Sequence, residues 1–242
     1  MPQRQYPTAV TAPSYGKLEV TQRAVAWLEM QHEQFGGALL VLFPDQPAAG
    51  EDPALVALGK RHQWTTQKSM ARKRWPGGPL LAAWPDQQTL GELSENKRVT
   101  ALCVVPHSDE EVAAWVAAVQ PEQLTPGYQP RVHVNQLDPV VVKGLETLDG
   151  PGRIQNLSGS LDQRDGKRVL RTLHEGGYDL APEALYAWAL AAGWKSRGAQ
   201  RLEKMGTSIK AGIRLQVSKE SMAGGEERLE RWRREAAGRA TT

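Results

Sequence analysis

Leu80–His107 reads LLAAWPDQQTLGELSENKRVTALCVVPH, and its pattern decides what kind of fold this chain adopts. Two short apolar runs, Leu80–Trp84 and Thr100–Val105, each stop at a proline: Pro85 before Asp86, and Pro106 before His107. A short continuous apolar run bounded by such breakers is the pattern of a strand covered on both faces. Between the runs, Leu90 and Leu93 stand three apart, the spacing of a helix with one apolar side. The unit is strand–helix–strand, which predicts parallel pairing.

The same pattern continues outward in both directions. Upstream, Ala38–Phe43 (ALLVLF) stops at Pro44-Asp45. Thr21 is expected to cap a helix before it, with Ala24, Trp27, Leu28 and Phe35 on one side and an end near Gly36-Gly37. Asp52-Pro53 then opens another helix in the favoured cap-then-proline order. Downstream, Ser108-Asp109-Glu110-Glu111 reads as a capping box before a helix that turns Val112, Trp115 and Val116 inward.

The expected fold class is α/β, a small parallel sheet with flanking helices in the N-terminal part. Three strands are expected, four if Arg131–Asn135 joins. Beyond it the pattern is mainly helical and includes a helix-turn-helix-like hairpin. The expected divisions are a flexible arm over 1–18, an α/β domain over 19–135, a basic helical domain over 136–223 and a charged C-terminal helix over 224–242.

The 242 residues, 24% charged and 40% hydrophobic, are ordinary for a globular protein. Cys103 is the single cysteine, so no disulfide framework or cysteine metal site is expected. The five histidines, His32, His62, His107, His133 and His174, have no ligand-type spacing. Phosphate-loop, dinucleotide, zinc-protease and serine-hydrolase signatures are missing as well, so neither cofactor nor metal is expected. No apolar stretch approaches the roughly 20 residues that span a bilayer. The N-terminus, MPQRQYPTAVTAPSYG, has no hydrophobic signal core. The expectation is a cytoplasmic protein without a membrane partner.

Charge is uneven along the chain. Residues 1–150 carry 13 Lys+Arg against 16 Asp+Glu, whereas residues 151–242 carry 17 against 11. The basic half contains Ala184–Lys204, ALYAWALAAGWKSRGAQRLEK. A helix ending at Gly193, a tight turn and a second, basic helix form the outline of a helix-turn-helix. Ala189 supplies the small residue at the crossing, and Trp188, Ala192, Trp194, Ala199 and Leu202 are spaced to close a core. Ser196 is expected to cap the second helix.

Arg197, Gln200, Arg201 and Lys204 are the expected groove or phosphate contacts, with Lys195 and Lys210 on the nucleic-acid backbone. Gly198 counts against a recognition helix by about 1 kcal/mol relative to alanine. An ordinary helical hairpin with a solvated basic face is the competing reading. A strand over Ile213–Val217 would make the module resemble a winged helix.

Two further stretches bear on function. Lys60–Trp75 (KRHQWTTQKSMARKRW) alternates cations with Trp64 and Trp75, a composition suited to single-stranded nucleic acid. Its competing reading is a surface segment whose tryptophans pack inward. Asp45, Asp86 and His107 follow the strand ends, where open parallel sheets bind ligands, and are the only candidates for hydrolase or nuclease chemistry. The sequence favours a regulatory or DNA-maintenance protein that binds nucleic acid, DNA first. The alternatives are an adaptor with a protein partner or homo-oligomeric contact, and the hydrolase.

Overall fold

The computed structural model describes residues 6–13, 18–128, 136–149 and 157–239. The chain divides into two compact units, Met1–His133 and Val134–Thr242. The first runs β1 (Thr8–Val10), α1 (Leu18–Phe35), β2 (Leu40–Phe43), α2 (Pro53–Arg61), β3 (Gln63–Thr66), α3 (Gln67–Met70), β4 (Gly78–Ala83), α4 (Gln87–Glu95), β5 (Val99–Val105), α5 (Asp109–Val119) and β6 (Glu122–Gln123). Its sheet is parallel throughout, in the order β3-β2-β4-β5-β1-β6.

This order accounts for where the helices lie. The chain steps one way across the sheet from β1 to β2 to β3, then back through β4 and β5 to β6. Parallel crossovers are right-handed, so the two directions of travel place helices on opposite faces. Accordingly α1 and α2 cover Val41, Phe43, Leu81 and Cys103, while α4 and α5 cover Leu40, Leu42, Leu80 and Leu102. With both faces covered, consecutive residues of β2 and β4 are no more than 1% exposed. Each fully buried leucine contributes about 1.5–3 kcal/mol, which is why these strands read as unbroken apolar runs.

The sheet has six strands among the described residues rather than the expected three or four. Arg131–Asn135 lies outside those residues. The added strands are short. Within the supposed flexible arm, Thr8–Val10 pairs with β5 on one side and β6 on the other. Ala9 and Val10 are buried. β3 is a four-residue edge strand, QWTT, inside the basic stretch.

Two helix starts also differ from expectation. Thr21 lies within α1, fully buried, and its hydroxyl donates to Asp52 Oδ2 at 2.6 Å. Ser108 holds the cap position of α5 without accepting a hydrogen bond from it.

The second unit contains α6 (Pro139–Glu146), α7 (Ser160–Glu175), α8 (Pro182–Ala191), α9 (Ser196–Lys210), α10 (Lys219–Met222) and α11 (Gly225–Arg239). Leu170, Leu173, Leu185, Leu202 and Trp232 are at most 1% exposed and form its core. The expected separate C-terminal helix is part of this unit. α11 seats Trp232 so close to α6 that a Cβ on Gly144 would lie 3.3 Å from the indole. Residues 213–217 form no strand, so the winged-helix expectation is not met. Among the described residues no helix is long and apolar enough to cross a membrane.

Candidate nucleic-acid interface

The hairpin closes through backbone geometry at Gly193. After α8 the chain must reverse within four residues, and Gly193 takes φ +84°, which a side chain would oppose. Gly193 N–H then donates to Leu190 O at 3.0 Å and Trp194 N–H to Ala189 O at 2.9 Å. This pair of bonds is the Schellman closure. Its usual apolar contact is made by the Trp194 and Trp188 rings, 5.7 Å apart and edge-on. The same two-bond closure ends α9, from Gly212 to Ile209 O and from Ile213 to Ser208 O.

Periodicity decides which side of α9 faces outward. Gly198, Ala199, Leu202, Met205 and Gly206 are buried. The burial of Gly198 answers the objection its low helix propensity raises, because the small residue stands on the packed side. Ala189 and Ala199 are both fully buried.

On the other side, Arg197, Gln200, Arg201, Lys204 and Ser208 follow one another at i, i+3, i+4, i+7 and i+11. Arg197 and Lys204 are exposed, and Gln200 and Arg201 half-buried. Lys195 is exposed at the helix start. It holds the cap position that Ser196 was expected to fill, and no side chain caps the helix there. The first N–H groups and the positive end of the helix dipole therefore lie beside Lys195 and Arg197. Lys210 is exposed but falls about 140° round the helix from Arg197, so it is not part of this stripe.

Two cations from outside the hairpin join the stripe. Arg201, Lys204 and Ser208 line a groove of about 370 Å³ together with Gln163 and Lys167 of α7 and with Arg214. Among the described residues no carboxylate lines this groove. Lys167 and Lys204 make no ion pair among the described residues, and Arg214 only a long contact of 3.9 Å to Glu175. The stripe was legible from spacing. Lys167 and Arg214 were not, because Lys167 comes alongside through the packing of α7 against α9 and Arg214 through the chain that follows α9.

The strand-end residues behave differently. Asp45 Oδ1 accepts from Ala48 N at 3.0 Å, and Asp86 Oδ1 from Thr89 N at 2.6 Å, so both carboxylates start helical turns. Among the described residues no three His, Cys, Asp or Glu side chains gather in a way that would hold a metal ion. Asp45, Asp86 and His107 are not brought together as a ligand set.

Residues 137–233, which begin just before α6 and end within α11, match a family described as a domain of unknown function (DUF1889). No curated protein and no solved structure matches the chain.

Proposed function

We propose that the helical unit binds nucleic acid, duplex DNA in the first instance, with α9 as the contacting helix, in a regulatory or DNA-maintenance role. One observation carries the reading. A hairpin closed by two backbone hydrogen bonds presents Arg197, Gln200, Arg201 and Lys204 on one outward stripe, beside a groove with two more cations and, among the described residues, no carboxylate. Arginine and lysine supply phosphate contacts, while Gln200 and the arginines also carry the donor patterns that read base edges.

The test is a fluorescence-anisotropy titration of the full chain against random duplex. Four phosphate contacts predict that affinity falls about a hundredfold between about 50 and 200 mM salt. Arg197→Glu/Arg201→Glu should abolish binding and Lys167→Gln should flatten the salt dependence. Binding that ignores salt, or no binding at all, would overturn the assignment.

A further inference from the structure

The first unit carries a second basic surface that the α9 reading does not use. From Pro53 to Pro85 the chain has no acidic residue, yet it contains Lys60, Arg61, Lys68, Arg72, Lys73 and Arg74. All six are at the surface, and all but Lys73 are exposed. Arg61 alone makes an ion pair among the described residues, with Glu29 at 2.8 Å.

These cations surround the free edge of the sheet, since β3 is the outermost strand and α2 and α3 flank it in sequence. Charge on an edge strand often serves to prevent strand-to-strand association, but one or two side chains suffice for that. Five uncompensated cations repel one another, and a polyanion removes that cost.

The backbone of this segment is tied down by hydrogen bonds. Trp75 is buried with its indole N–H donating to Ala38 O at 2.5 Å. The intervening chain turns through Arg72 N to Ser69 O at 3.0 Å and Lys73 N to Met70 O at 3.2 Å. The backbone that carries Arg72 and Arg74 is therefore placed before binding, which lowers the entropic cost of binding.

Trp64 identifies the partner. It stands on β3 with 41% of its surface exposed, whereas Trp75 is buried and Trp84 half-buried. One side of it is fixed. The side chain rests against Gly59 of α2, where a Cβ would lie 3.3 Å from it, and its ring meets Phe43 edge-on at 6.2 Å. An indole braced on one side and open on the other is a stacking platform for an unpaired base. The helix that follows β3 and carries Lys68, α3, has only four residues and is too short to lie along a duplex groove.

We infer that the β3 edge is a single-stranded nucleic-acid site, with the strand's phosphates on Lys60, Lys68, Arg72 and Arg74 and a base stacked on Trp64. This site stands independently of the α9 assignment.

The experiment titrates the full chain with a labelled oligothymidylate longer than the roughly 4–16 nucleotides one such site covers. Duplex DNA and anionic lipid vesicles are titrated in parallel. Lys68→Glu/Arg72→Glu/Arg74→Glu should lower oligothymidylate affinity at least about tenfold at low salt, and the corresponding glutamine variant should do so less steeply. Trp64→Ala should weaken binding between about fivefold and a hundredfold, with Trp64→Phe recovering most of the loss. Arg197→Glu/Arg201→Glu should leave it nearly unchanged. All three charged positions are exposed, so their variants should keep the wild-type circular dichroism. Unchanged oligothymidylate affinity in the glutamate variant overturns the inference. So does equal loss in Trp64→Ala and Trp64→Phe, or a charge-dependent preference for vesicles over the oligonucleotide.

Discussion

Asp52 is 1% exposed, and its carboxylate is fully engaged. Oδ1 accepts from Ala54 N at 2.9 Å and Leu55 N at 3.2 Å, capping α2, while Oδ2 takes the Thr21 hydroxyl of α1 at 2.6 Å. One side chain thus starts one helix and pins a second to it. Losing such a cap costs about 0.5–2 kcal/mol, and leaving a buried hydroxyl without a partner adds about 1–3 kcal/mol. Asp52→Ala should therefore lower stability by about 1.5–5 kcal/mol, read as a shifted urea midpoint. Asp52→Asn, which still accepts from the backbone, should lose less, and equal losses would contradict the account. The cap was legible in Asp52-Pro53. Its bond to Thr21 was not, because 31 residues separate the two.

Among the elements, β4 begins under a tight backbone constraint. Gly78 has φ +148°, and a Cβ there would stand 2.7 Å from both the nitrogen and the carbonyl oxygen of Ala38. Those atoms are backbone and cannot rotate aside. Gly78 N–H also donates to Arg98 O at 2.9 Å, next to a register shift between β4 and β5. Gly78→Ala should cost at least about 2 kcal/mol from strain and displaced pairing, measured by thermal melting. A neutral substitution would mean that the close approach relaxes freely. The sequence marks this place only as a Pro-Gly-Gly-Pro turn, since backbone proximity between β2 and β4 leaves no periodic signal.

For the whole molecule, each unit closes its own core. The first buries both faces of its sheet, and the second gathers Leu173, Leu185, Leu202 and Trp232. A fragment of residues 134–242 should accordingly fold by itself, with a helical circular-dichroism spectrum and a cooperative melt. A featureless melt would show that this core needs the rest of the chain.

The α/β class, the three central strands and the outward stripe of α9 were determined by sequence alone. In each, neighbouring residues share one environment, so local order records burial directly: unbroken apolar runs for covered strands, and a 3.6-residue repeat for an amphipathic helix. The tertiary structure decided the rest. Thr8–Val10 is a strand only because β5 and β6 pair with it. Trp64 is open and Trp75 buried because one lies on an edge strand and the other is turned into the core. Lys167 and Arg214 join Arg201 only through the packing around α9. These features depend on contacts between residues far apart in the chain, and short segments of three or four residues carry too little periodicity to announce them.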